Sequence, residues 1–106
     1  MLYNYKEIDN IIENLDLDYD TAKMLLDDFM EQWKEFKVNL NKALSELNYE
    51  EIQSIAHSIK GVAGSLQLNN IYLICKDLEQ LARDKNNVET STYTEYINNL
   101  ILLIES

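Results

Sequence analysis

Apolar residues recur along this chain at helical spacing in five separate stretches. The first is short and uses Tyr5, Ile8, Ile11, Ile12 and Leu15. Acidic Asp16, Asp18 and Asp20 mark a corner after it, and Asp18 or Asp20 is placed to cap the next helix. The second stretch keeps one stripe on Ala22, Leu25, Phe29, Trp33, Phe36, Leu40, Ala43, Leu44 and Leu47. Roughly 26 residues of helix would extend about 40 Å. The third stripe is Ile52, Ile55, Ala56, Ile59, Val62, Ala63 and Leu66. Asn48-x-x-Glu51 precedes it and resembles a capping box with asparagine in place of Ser or Thr. The fourth runs from about Asn69 to Asp84 on Ile71, Ile74, Cys75, Leu78, Leu81 and Ala82, and polar Lys85, Asn86 and Asn87 end it. The fifth uses Tyr93, Tyr96, Ile97, Leu100, Ile101 and Ile104, with a cap expected near Thr90 to Thr92.

Composition supports helices over sheets. The chain has no proline and only two glycines, so it lacks the turn chemistry that hairpins need. The pattern predicts an all-α fold: an antiparallel four-helix bundle with a short additional N-terminal helix over one end. At 106 residues, the chain is expected to form a single domain over 1–106. Most residues in the stripes are core, since such a stripe is what stabilises a helix packed on one side.

Charge and cysteine count narrow the function classes. The formal net charge of −10 disfavours nucleic acid and anionic membrane surfaces, both of which would repel it. The longest apolar run, Leu100 to Ile104, is too short for a bilayer, and no signal peptide opens the chain. A cytoplasmic protein is therefore expected. The single Cys75 excludes an internal disulfide and a cysteine-rich zinc site.

The candidate chemistry lies in the third stretch, AHSIKGVAGSL, residues 56–66, which holds the only histidine and both glycines. Glycine in a helix interior is less favourable than alanine by about 1 kcal/mol. At about 100° per residue, His57 lies opposite the centre of its helix's apolar stripe and should face water. Gln53 is one turn before it, Gly61 and Gly64 one and two turns beyond, and Lys60 on the adjoining strip. The glycines clear the ground beside the ring, so a bulky partner can come close along the backbone. Imidazole as a group titrates near pH 6.5, so its neutral, nucleophilic form is abundant at neutral pH and can attack phosphorus. Lys60 can balance the charge of the phosphoryl oxygens. A metallohydrolase gains no support: no second histidine offers a ligand, and no Ser or Cys nucleophile has a base arranged near it.

This constellation resembles the histidine-containing phosphotransfer (HPt) domain of two-component phosphorelays. The family pattern has lysine at +3 and glycine at +4 from the histidine, with small residues at +6 to +8; here these are Lys60, Gly61, Ala63, Gly64 and Ser65. Ala56 before the histidine also matches. So do Leu73-x-Cys75-x-x-Leu78-Glu79, similar to the family's L-x-C-x-x-L-E, and the long second helix with Leu26 and Phe29 near its start. The resemblance implies a phosphocarrier without autokinase activity rather than an enzyme. His57 would accept a phosphoryl group on its distal nitrogen, Nε2, from a receiver-domain aspartyl phosphate and pass it reversibly to another receiver. Lys60 would serve charge balance and Gly61 and Gly64 access, with Gln53, Ser65 and Glu79 as further binding candidates. The partners implied are receiver domains of response regulators and hybrid histidine kinases, with the protein acting as a monomer. No cofactor is expected on this chain, Mg²⁺ belonging to the receiver.

Two positions depart from the family pattern. Gln67 stands at +10, where many members have glycine, so the following turn is expected to be built around Asn69 or Asn70 instead. Glu79 stands at +22, where some members place a glutamine against the histidine. If Glu79 reaches the ring, it would hydrogen-bond the free form and repel the phosphorylated one. HSIKGVAG also resembles the phosphotransfer domain of chemotaxis histidine kinases, which a separate kinase domain phosphorylates; the Cys75 helix favours the relay type. A non-catalytic helical adaptor is the other alternative, disfavoured by the presence of both His57 and Lys60. The initial methionine favours a free-standing protein over a piece of a larger kinase.

Overall fold

The computed structural model describes residues 6–84 and 89–105, without the side chain of Lys6. These residues form five helices: α1 (Lys6–Leu15), α2 (Tyr19–Ser45), α3 (Tyr49–Ser65), α4 (Asn69–Asp84) and α5 (Thr90–Glu105). Each arises where the apolar spacing predicts one. Tyr5 and the polar stop at Lys85, Asn86 and Asn87 lie outside the described residues.

Helix starts follow local chemistry. Asp18 is the N-cap of α2, and its carboxylate accepts from the Thr21 N–H at 2.8 Å. Asn48 caps α3 in the same way, its side-chain oxygen accepting from the Glu51 N–H at 3.1 Å. α5 begins at Thr90, so Ser91 and Thr92 lie in its first turn.

Three helices end without glycine. Asp16, Leu47 and Gln67 adopt positive φ of 53°, 51° and 57°. In each case the next N–H reaches five residues back: Leu17 to the Ile12 carbonyl, Asn48 to Ala43, Leu68 to Ala63. This is the Schellman pattern, which satisfies carbonyls the helix end leaves open. The α3–α4 turn therefore corrects the expectation of a left-handed Asn69 or Asn70. Gln67 itself takes that conformation, while Asn69 and Asn70 begin α4. Leu47 is a second correction. It continues the α2 stripe in sequence, but lies past the helix end and is 48% exposed.

Packing closes a ring of contacts. α2 packs on α3, α3 most extensively on α4, α4 on α5, and α5 back on α2, while α1 lies against α2. The core runs through this ring on Leu26, Phe29, Trp33, Leu40, Ile52, Ile59, Ile71, Leu78, Tyr93, Ile97, Leu100 and Ile104. α2, with 27 residues, is long enough to match the 45 Å long axis. Two polar ties fasten α5, one to α2 and one to α4. Trp33 Nε1 donates to Glu105 at 3.0 Å, and the Tyr93 hydroxyl donates to the Leu81 carbonyl at 2.8 Å. The outer face of α3, beside α4, is left open, and it carries the histidine.

Candidate functional site

α3 buries Ile52, Ile55, Ala56, Ile59 and Ala63. That turns His57 outward, and its side chain is 68% exposed. Gly61 and Gly64 are also exposed on this helix. A Cβ built at Gly61 would meet nothing within 4 Å, and neither glycine has a positive φ. The fold therefore supplies no reason for Gly61. Gly64 differs: a Cβ there would come 3.4 Å from the Tyr72 ring on α4, at ordinary contact distance.

The imidazole is held from one side. Its Nδ1 lies 3.0 Å from Oε2 of Glu79 on α4. An ionised carboxylate can only accept, so Nδ1 carries the proton of the neutral ring, and the lone pair falls on Nε2. Glu79 is only 5% exposed, and a buried carboxylate is tolerable only with partners. It has three. Lys60 Nζ sits 2.6 Å from Oε1, while Arg83 Nη2, one turn along α4, lies 3.1 Å from the same Oε2 that faces His57. The hydrogen bond from Lys60, aided by that from His57, holds the Glu79 carboxyl below the usual carboxylate range, although burial pushes the other way. With one carboxylate between two cations, this group carries one net positive charge in a chain of net charge −10.

The structure thus brings His57, Lys60 and Glu79 into one cluster. Gln53 joins them, lining an open depression of about 440 Å³ together with Glu50, Ser54, His57, Glu79 and Arg83. Ser65 does not line it; its hydroxyl donates back to the Gly61 carbonyl at 3.1 Å. Lys60 is not the free cation that the sequence suggests, since its ammonium already sits on Glu79. Arg83 escaped the sequence reading. Its signal was the Glu79–Arg83 spacing of four on one helix face, a favourable pair that becomes part of the site only when α4 docks on α3. Cys75, beside the cluster on α4, is fully buried, and burial pushes its thiol up to about 12, which leaves it a core residue and no nucleophile. A larger groove near Trp33, Lys37 and Glu105 holds no histidine. Among the described residues, no three His, Cys, Asp or Glu side chains are grouped to hold a metal ion, and no helix is long and apolar enough to cross a membrane.

Comparison with known proteins adds one match. The family model of the Hpt domain covers residues 24–105, from early α2 to the end of α5. No curated protein and no solved structure matched the chain. The matched span takes in the exposed histidine, its lysine and glycine neighbours and the α4 carboxylate behind it, and this chain belongs to the Hpt domain family, whose role is histidine phosphotransfer in phosphorelays.

Proposed function

We propose that this protein is a phosphorelay intermediate in which His57 takes a phosphoryl group from a receiver-domain aspartyl phosphate and delivers it to another receiver. The Nε2 lone pair attacks phosphorus, the P–O bond to the aspartate breaks, and its electron pair returns to the aspartate carboxylate. Because Nδ1 already holds its proton against Glu79, no proton has to move during the transfer. The same geometry serves the reverse step, in which the ring leaves as neutral imidazole. Lys60 would turn from Glu79 toward the phosphoryl oxygens. Gln53 would line the entry, and Gly61 and Gly64 would let the receiver's backbone and phosphate approach the ring. Ser65 would lie at the edge of the docked surface. Mg²⁺ would arrive with the receiver, and the chain would act as a cytoplasmic monomeric phosphocarrier without kinase activity of its own.

Residues 1–106 would then work as one module. We read the closed ring of α2 to α5 contacts as the antiparallel four-helix bundle, since turns of three residues join α2 to α3 and α3 to α4. The observation that carries the functional reading is an exposed imidazole tied at Nδ1, beside a glycine the fold does not need. Mixing the protein with a phosphorylated cognate receiver should place an acid-labile phosphate on His57. His57→Gln should take up none while keeping its helical content. Labelling that survives in that variant would eliminate His57 as the acceptor.

A further inference from the structure

A helical side chain tilts toward the helix N-terminus and covers the surface on that side of its own Cα. For His57 that surface is the open depression of about 440 Å³. On α3 its lining is Glu50, Gln53, Ser54 and His57, and it stops at the ring, while Glu79 and Arg83 close it from α4. The two cations beside it, Lys60 and Arg83, are already taken by Glu79. Gln53 and Ser54 are not. Gln53 is half-buried and Ser54 exposed, and neither side chain makes a hydrogen bond among the described residues. The Ser58 hydroxyl uses only the Ser54 carbonyl, at 3.1 Å. Each lies one turn before His57, where helix geometry puts Cβ atoms about 6 Å apart. We infer that this depression seats the transferred phosphoryl group, with the Gln53 amide and the Ser54 hydroxyl donating to its oxygens. The inference deepens the relay reading given above and rests on it.

As Nε2 bonds to phosphorus and the aspartyl P–O bond breaks, charge spreads over the three phosphoryl oxygens that take no part in either bond. Donors already in place stabilise that arrangement without having to reorganise. Neutral donors also suit a reversible carrier, because hydrogen bonds to a cation are roughly twice as strong and would hold the group harder. Glu50 stands at the far end of the depression, two turns before His57, about 10 Å along the helix axis. Its side chain leans the same way as the ring, so its carboxylate lies beyond the seat. The arrangement divides the helix at His57. Gly61 and Gly64 clear the ground after the ring for the partner, and Gln53 and Ser54 meet the phosphoryl group before it.

The test labels His57 with phosphoramidate, a small chemical donor that needs no docking, and in parallel with a phosphorylated receiver. With phosphoramidate, Nε2 bonds to phosphorus as the P–N bond breaks, and ammonia leaves from the N-protonated donor. Gln53→Ala and Ser54→Ala should each slow labelling about fivefold with both donors, the scale of one neutral hydrogen bond. Gln53→Glu should slow it further, since a carboxylate would then face the phosphoryl oxygens. In the full chain, phosphorylation should move a Gln53 side-chain amide proton downfield, a signal that a merely structural role would leave in place. Slowing with the receiver alone would overturn the inference, because it would set both side chains against the partner instead. So would unchanged phosphoramidate labelling in the two alanine variants, or an unmoved Gln53 amide in the phosphorylated protein. A wild-type protein that takes no phosphate on His57 would instead remove the relay reading itself.

Discussion

At the scale of single residues, Gly61 separates what the fold needs from what the site needs. It is helical, lacks positive φ, and has open space where a Cβ would go. Gly61→Ala should therefore raise unfolding stability by about 1 kcal/mol, the helix-propensity difference. Gly61→Leu should slow transfer from a receiver protein while leaving labelling by phosphoramidate near the wild-type rate, because only the larger donor needs the cleared ground. Denaturant titration and the two labelling rates check this, and equal slowing with both donors would refute the clearance argument. Much of the candidate site's layout was legible in sequence for a simple reason: His57, Lys60, Gly61 and Gly64 lie on one helix, where spacing alone fixes the face. Glu79 entered only through family resemblance, and Arg83 not at all. Their contact with the ring depends on how α4 is rotated against α3, which no local spacing states.

At the scale of elements, the turns show both the reach and the limit of local reading. The caps at Asp18 and Asn48 follow from side chains that can accept a backbone N–H, and the structure has both. The helix ends were harder to see, because the usual marker, glycine, is absent from Asp16, Leu47 and Gln67. Asn69 and Asn70 looked better suited to a left-handed turn than Gln67. The register of α4 decides otherwise: Ile71 and Leu68 must both be buried, which leaves only 66–68 for the turn. A glutamine held at φ 57° carries steric strain that glycine would not. Gln67→Gly should thus stabilise the protein by about 1 kcal/mol, and Gln67→Val should destabilise it, both read from thermal or denaturant unfolding. A loss of stability in the glycine variant would show that the left-handed turn is not strained.

At the scale of the whole molecule, two buried or half-buried carboxylates tie helices together, one pair adjacent in sequence and one distant. Glu79 joins α4 to α3 through Lys60, and Glu105 joins α5 to α2 through Lys37 and Trp33. Hydrogen bonds from Lys60 and from Lys37, respectively, lead in holding both carboxyls below their ordinary range. A lowered folded-state value means that their stabilisation is present above the unfolded carboxylate value of about 4.3 and is lost as pH falls through the folded one. Acid also relieves the chain's excess of negative charge, which acts in the opposite direction. Comparing variants separates the two effects: Glu105→Gln should be less stable at pH 7, with a shallower fall in stability below about pH 4. Parallel curves for the variant and the wild type would deny Glu105 that role. The five helices were readable because each carries its own apolar stripe, whereas the tie between α5 and α2 was not, since Trp33 and Glu105 stand 72 residues apart. All of this framework carries one arrangement, an exposed ring fastened at Nδ1. The most direct test is heteronuclear NMR of the His57 side chain before and after phosphoryl transfer from a receiver. The account requires an Nδ1–H tautomer in the free protein and a phosphorus bonded to Nε2 afterwards. A phosphoryl group on Nδ1, or a free ring protonated at Nε2, would contradict it.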